Sequence, residues 1–221
     1  MPHETSKAMM RRLFDRRFAT TYFVGDGIDI GCGMDPLVHY SEMFPLMRSC
    51  RAWDTVKGDG DASHLEGVED ESFDFVHSSH CLEHLDLPHI AMKNWIRILK
   101  KGGHMILLLP DEDLFEQGFW PSKYSGADHK TSWTIGKKES WAPKSLNIID
   151  FFGGIFLETM SMLKLELLDS TFFYNQEAFD QTRTPIGECA IEIILRKRTE
   201  KEIKDRGRLP SKPNMIFSYK T

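Results

Sequence analysis

The stretch Gly25-Asp-Gly-Ile-Asp-Ile-Gly-Cys-Gly-Met-Asp-Pro36 decides the fold. Ile28 and Ile30 lie in a short apolar strand that ends in Gly31 and Gly33, and Asp35-Pro36 puts an N-cap residue before a proline in the first helical position. A helix is therefore expected to begin there and to stop near Pro45. A glycine turn between a first strand and a helix lets backbone come close to a ligand and points helix N–H groups at it.

Downstream, Ser72-Phe-Asp-Phe-Val-His77 reads as a second short buried strand. Leu87 to Lys101 reads as a helix with Trp95, Ile98 and Leu99 on one apolar stripe, ended by Gly102-Gly103. His104 to Leu109 is a continuous apolar run stopped by Pro110, as suits a strand buried on both faces of a parallel sheet. Strand and helix alternate, which makes the class α/β. Upstream, Ser6 to Phe18 sets Met9, Leu13, Phe14 and Phe18 among basic residues at helical spacing, a helix expected to lie over the domain. Between Asp111 and Pro143 the pattern breaks into a polar and aromatic stretch holding Phe115, Phe119, Trp120, Tyr124, Trp133 and Trp141. Ser145 to Met162 resumes a helical pattern interrupted at Gly153-Gly154, and Lys164 to Tyr174 with Cys189 to Arg198 reads as an antiparallel strand pair at one sheet edge. The tail after Arg198 looks like a charged helix end followed by an extended arm.

Two hundred and twenty-one residues with a formal charge of −5 fit a single globular domain. No stretch approaches the length of a membrane span, and Met1 to Phe14 is too polar for a signal-peptide core, so a cytoplasmic location is expected. Cys32, Cys50, Cys81 and Cys189 form no Cys-x-x-Cys pair and read as free thiols. The charge divides unevenly: +3 over residues 1–20, +6 over 196–221, and −14 between them. An acidic body argues against a broad nucleic-acid footprint, which wants a basic face on the folded domain. The basic ends remain free to meet an anionic acceptor.

The charge of the glycine turn also selects the ligand. A dinucleotide fingerprint needs a third glycine at position 36, where this chain has proline. Asp29 and Asp35 would repel a pyrophosphate but suit a ligand carrying an ammonium and a sulfonium.

At these residues the chain resembles the class I S-adenosylmethionine-dependent methyltransferases. Asp29-Ile-Gly-Cys-Gly33 is similar to their first motif and Gly60-Asp-Ala62 to their adenine-contacting motif. Ser72 to Val76 with His80-Cys-Leu-Glu-His84 resembles their fourth strand and the helix start after it, and Leu99 to Pro110 the turn into their fifth strand. The resemblance implies a Rossmann-like, seven-stranded, mostly parallel sheet with helices on both faces, an antiparallel last strand and a shortened third-strand region. Only six residues separate Asp54 from Asp61, where the family fits a helix and a strand. It implies S-adenosyl-L-methionine as cofactor and S-adenosyl-L-homocysteine as product. Gly31 and Gly33, with Cys32 between them, would cradle the methionine part, and Asp29 would draw in its amino group. Asp54 would take the ribose hydroxyls, Asp61 the adenine amine with Asp59 as substitute, and the Ala62 N–H a ring nitrogen; Ser78 and Ser79 would lie beneath the cofactor. The single domain then divides into a helical cap (1–22), a cofactor-binding half (23–110), an aromatic substrate-side insert (111–145), a C-terminal helix and strand pair (146–198) and a basic tail (199–221).

Methyl transfer from a sulfonium is an in-line displacement, in which alignment supplies much of the rate and a base is needed only if the acceptor must lose a proton. The acceptor should sit over the carboxyl ends of the strands. There, Asp111 and His129 are the candidates for base or acceptor-positioning group, set against a plain helix cap and a plain loop histidine. The aromatic insert suits a small-molecule or saccharide-like acceptor, methylated at oxygen. His80, Glu83 and His84 would share one helical face and, with His129, resemble the Mg²⁺ ligands of small-RNA 2′-O-methyltransferases. The same Leu-Glu-His segment also occurs in metal-free enzymes of the class, where it orients helix and strand, and no metal is expected. The alternatives are a metal-assisted nucleic-acid 2′-O-methyltransferase, an NAD-dependent oxidoreductase and a catalytically inactive module of the same fold.

Overall fold

A computed structural model describes residues 4–124, 128–176 and 179–209. The chain opens with helix α1 (Glu4–Phe14), then β1 (Gly25–Ile30), β2 (Met47–Trp53), β3 (Phe73–Ser79), α2 (Pro88–Ile98) and β4 (Leu99–Pro110). Next come two short strands, β5 (Ser132–Thr134) and β6 (Ser145–Asn147), and helices α3 (Ile148–Gly153) and α4 (Ile155–Thr159). Strands β7 (Met160–Leu168) and β8 (Ala190–Lys197) and helix α5 (Glu200–Lys204) complete it.

The main sheet runs β2-β1-β3-β4-β8-β7. Its first four strands are parallel, and β8 pairs antiparallel with both β4 and β7. The described sheet thus has six strands where the resemblance implied seven. The missing edge unit is the one that Asp54 to Asp61 is too short to build: a single 3₁₀ turn, Thr55–Lys57, stands in its place. Ser132 to Asn147 instead contributes a separate two-stranded parallel sheet of β5 and β6.

Alternation along the strands buries both faces. Met105, Leu107 and Leu109 of β4 pack with Ile28 and Ile30 against α2, α3 and α4, through Trp95, Phe152 and Phe156. Ile106 of β4 faces the other way, onto Met9, Phe18, Phe23 and Phe44. Helix α1 covers this second face, and of the expected stripe Met9, with Phe18 beyond the helix, is buried, whereas Leu13 and Phe14 are exposed and Ala8 and Arg12 are buried in their place.

Two further elements depart from expectation. The helix after the glycine turn is a 3₁₀ segment, Leu37–Met43, whose N-cap is Pro36 rather than Asp35. Helix α2 ends at Ile98, where the carbonyls of Ile96 and Leu99 accept hydrogen bonds from Lys197 Nζ on β8, and Lys100 to Gly103 already belong to β4. The C-terminal pair is antiparallel and at the sheet edge as expected, although β7 begins at Met160, before Lys164. The four cysteines are free and buried. The arm expected at 210–221 lies outside the described residues.

Candidate functional site

Strands β1, β2 and β3 end together, and their carboxyl ends hold most of the residues expected to bind the cofactor. Gly31 turns at φ +69° and Gly33 at φ +52°, in the left-handed region that favours glycine. Gly33 N–H donates to Asp54 Oδ2 at 2.8 Å, so the turn is fastened to the end of β2. The second Asp54 oxygen accepts from Val56 N–H at 2.9 Å and caps the 3₁₀ turn. Asp61 accepts from Ser63 N–H and from His64, bonds that hold its carboxyl below the usual range. Ala62 is buried, with its carbonyl taken by Trp95 Nε1 at 2.8 Å. Gly31, Asp54, Asp61, Ala62, His80 and His84 all line one cavity of about 240 Å³.

The other expected contacts sit in different roles. Asp29 is 1% exposed, and both its oxygens are engaged, one by His77 Nδ1 at 2.6 Å and the other by Leu37 N–H at 2.7 Å. It therefore braces the 3₁₀ segment beneath the turn instead of facing the cavity. Asp35 accepts from Ser6 N–H and Tyr40 Oη, tying α1 to the glycine turn. Ser78 Oγ donates to the Ile30 carbonyl at 2.9 Å and stitches β3 to β1, while Ser79 Oγ is buried without a hydrogen-bond partner. Burial pushes the Cys32 thiol up to about 11, which keeps it protonated and inert.

The two expected acceptor-side groups part company. Asp111 Oδ1 accepts from Asp113 and Leu114 N–H and caps the turn that follows β4. Burial raises this carboxyl to about 6. His129 is drawn inward because Lys130 and Thr131 N–H both donate to the Glu83 carbonyl, at 2.7 and 3.2 Å. Its Nδ1 meets Glu116 Oε1 at 2.5 Å and its Nε2 faces Glu83 Oε1 at 3.9 Å. Burial alone would lower this imidazole, but the bond to Glu116 and the nearby Glu83 carboxylate outweigh it and raise its pKa. Phe115 stacks on His129 with centroids 5.3 Å apart and touches His80 at 5.4 Å. The same Phe115 lines a larger cavity, about 630 Å³, with Lys7, Lys123, Tyr124, Thr182 and Arg183.

Helix α1 does not offer its arginines to an acceptor, as the basic first segment suggested. Arg11 makes paired hydrogen bonds to Glu188 and to Glu192 at 2.7–2.9 Å. Arg12 is fully buried, 3.6 Å from Glu192 and 3.1 Å from His77 Nε2. Sequence reasoning missed this chain of contacts and also Glu116. Glu192 had a legible signal, a lone acid inside the apolar run Ala190-Ile-Glu-Ile-Ile-Leu195; Glu116 had none. Several insert aromatics serve packing, as Trp133 joins the main core edge-on to Phe151.

Residues 3–152 match the family model described as methyltransferase domain. Among solved structures, a chain from the complex of the Haloferax volcanii Trm112 methyltransferase activator with a methyltransferase is similar at TM-score 0.55 and 12% identity, covering 90% of this chain and 99% of that one. A Bacillus halodurans protein described as a methyltransferase gives 0.52 at 15% identity, covering 86% and 99%. A Listeria monocytogenes protein described as S-adenosylmethionine-dependent gives 0.52 at 12%, covering 87% and 100%. At such identities the similarity is one of fold. No curated protein matches the sequence.

Proposed function

Because the chain belongs to the class I S-adenosylmethionine-dependent methyltransferase family, we propose that it methylates an oxygen of a small, hydroxylated, saccharide-like acceptor. The observation that carries this reading is the shared wall between the two cavities: His80 lines the smaller, Phe115 the larger, and the two rings are in contact. A cofactor in the first and an acceptor in the second would be neighbours at these two rings, which must turn aside for the reacting atoms to reach the separation of about 3–3.5 Å that an in-line displacement requires.

Gly31, Cys32 and Gly33 are proposed to follow the methionine part of S-adenosyl-L-methionine, Asp54 the ribose hydroxyls, and Asp61 with the Ala62 N–H the adenine. Ser78 and Ser79 support the floor, and Asp29 acts through the 3₁₀ segment it holds. On the acceptor side, Phe115 and Tyr124 offer faces for apolar sugar surfaces, while Arg183 offers donors for hydroxyls; Lys7 and Thr182 are held by Glu4 and Asp180. His129 is the proposed acceptor-positioning group. Asp111 is left with its capping role.

The test is incubation with methyl-labelled S-adenosyl-L-methionine and fractionated polyols, saccharides, nucleosides and short RNAs, alongside calorimetry with S-adenosyl-L-homocysteine. The expected product is a base-stable ether on a hydroxylated small molecule. Label found only on nitrogen, or only on RNA with steep salt dependence, would overturn the acceptor assignment.

A further inference from the structure

Glu83 is completely buried at the head of the segment Leu82–His84, and neither of its carboxylate oxygens has a hydrogen-bond partner. Proteins rarely leave a buried carboxylate in that condition unless something charged is meant to stand beside it. What surrounds it is nitrogen. His80 Nδ1, His84 Nε2 and His129 Nε2 lie 3.6, 3.8 and 3.9 Å from the same oxygen, Oε1, all too far for hydrogen bonds. Among the described residues, Glu83, His84 and His129 bring one donor atom each within 4.8 Å of the others.

A second pattern is independent of the first. The far nitrogen of each of the two clustered imidazoles is turned to a carboxylate: His129 Nδ1 to Glu116 at 2.5 Å and His84 Nδ1 to Asp128 at 3.3 Å. At His129 the Nδ1–H donated to Glu116 fixes the tautomer, so that Nε2 presents its lone pair inward; at His84 the Asp128 carboxylate stands at ion-pair distance. This is the outer support that metal-ligating histidines ordinarily have.

We propose that Glu83, His84 and His129 bind one divalent transition-metal ion, with Glu116 and Asp128 as positioning residues behind the two imidazoles. The nitrogen share of the donor set favours Zn²⁺, Co²⁺ or Fe²⁺ over Mg²⁺, which prefers oxygen and water. Ligand bonds of about 2.0–2.1 Å put neighbouring donor atoms about 3.3 Å apart, so each imidazole must close on Glu83 by about 0.5 Å and the cluster as a whole by at most about 1.5 Å, within reach of side-chain adjustment. His80, whose Nδ1 is 3.6 Å from the same oxygen, lies outside that three-residue cluster, which leaves a fourth position open. His80 and His84 also line the cofactor cavity, so an open position on the ion would face the methyl-transfer site. There the ion would polarise an acceptor hydroxyl. That last step rests on the oxygen-methylation reading; the metal site does not.

The test is titration of chelator-treated protein with Co²⁺, followed by its visible absorption, and with Zn²⁺ in competition. S-adenosyl-L-homocysteine calorimetry on the same samples reports the cofactor site separately. One ion per chain is expected, displaced by Zn²⁺ and not by a large excess of Mg²⁺. His84→Ala and His129→Ala should abolish the Co²⁺ spectrum, Glu83→Gln should weaken it at least tenfold, and Glu116→Gln should cost about 10–100-fold in affinity. His84 is the more exposed ligand, so its variant keeps the test valid if replacements at buried Glu83 fail to fold. Wild-type protein that takes up no stoichiometric Co²⁺ or Zn²⁺, or uptake unchanged in both histidine variants, overturns the site. Displacement by Mg²⁺ overturns the choice of ion class. Metal binding without cofactor binding would sink the methyltransferase mechanism while leaving the site standing.

Discussion

Gly31 and Gly33 look equivalent in the motif, and the structure separates them. Both turn at positive φ, +69° and +52°, so an alanine at either pays about 1–2 kcal/mol for a left-handed backbone. Only Gly31 has a close neighbour. A Cβ there would come 2.3 Å from Cys81 Sγ and 2.5 Å from Cys81 Cβ, whereas one on Gly33 would meet nothing within 4 Å. Overpacking adds about 1–3 kcal/mol, which brings Gly31→Ala to a total of about 2–5 kcal/mol and leaves Gly33→Ala at about 1–2. Urea unfolding measures both. Cys81→Gly removes the two offending atoms, and the next Cys81 atom lies 3.7 Å away. The double variant should therefore recover the steric part, seen as a coupling of about 1–3 kcal/mol in a double-mutant cycle. Function should divide the opposite way. The open space beside Gly33 is where the cofactor's methionine part is proposed to lie, so Gly33→Ala should remain folded while S-adenosyl-L-homocysteine affinity falls at least about tenfold, or 1.4 kcal/mol. Equal destabilisation by the two alanines, or no coupling to Cys81, would refute the packing argument. Undiminished affinity in Gly33→Ala would refute the placement.

Three other expectations follow from named contacts. Glu192→Gln leaves the buried Arg12 without its charged partner and should cost about 3–5 kcal/mol in unfolding experiments. Burial would raise the Glu192 carboxyl, but Arg12, Arg11 and Lys164 overcome it and hold it down to about 2. A carboxyl depressed in the folded state stabilises above its unfolded value, so this contribution should be full above about pH 4.5 and fade as pH falls towards 2; a flat acid limb of the wild-type stability curve would contradict it. Asp111→Asn should keep both stability and turnover because asparagine caps equally well, while Asp111→Ala should lose about 1 kcal/mol; inactivity of the asparagine variant would restore Asp111 as a base. Asp54→Ala removes the bond to Gly33 N–H and should weaken S-adenosyl-L-homocysteine in calorimetry more than Asp61→Ala, whose carboxylate is largely exposed.

The parallel part of the fold was legible because its signals are local. An apolar run closed by Pro110, a glycine turn after Ile30 and the Trp95 stripe each speak within a few residues. Where expectation slipped, a distant residue decided. The helix expected to reach Lys101 stops at Ile98, where Lys197, far along the chain, takes the carbonyls of Ile96 and Leu99. The N-cap expected at Asp35 is Pro36, which has no side-chain donor or acceptor, and the first N–H of the segment, Leu37, is taken instead by the Asp29 carboxylate at 2.7 Å, from β1. In helix α1 the expected face is buried at Met9, and at Phe18 beyond its end, but not at Leu13 and Phe14. Its buried side carries Arg11 and Arg12 to Glu192, and with those two arginines turned to the sheet Leu13 and Phe14 are turned out to water.

The site divides along the same line. Gly31, Asp54, Asp61 and Ala62 could be grouped from sequence because the cavity they line is built from turns at the ends of adjacent strands, and such turns are made of consecutive residues. The larger cavity, the proposed acceptor side, is assembled from segments that sequence order keeps apart. Lys7 comes from α1, Phe115 from the turn after β4, and Thr182 and Arg183 from the loop before β8. His129 illustrates the difference most sharply: nothing in the residues flanking it says that it lies inside. Two backbone donors, Lys130 and Thr131, dock on the Glu83 carbonyl and carry it there, and backbone docking leaves no trace in side-chain type. The reading of Glu83 and His84 as a mere helix start therefore changes with one loop's position. Once His129 arrives with Glu116 behind it, a segment that would otherwise orient β3 becomes the other half of a four-residue cluster of carboxyls and imidazoles beside the smaller cavity.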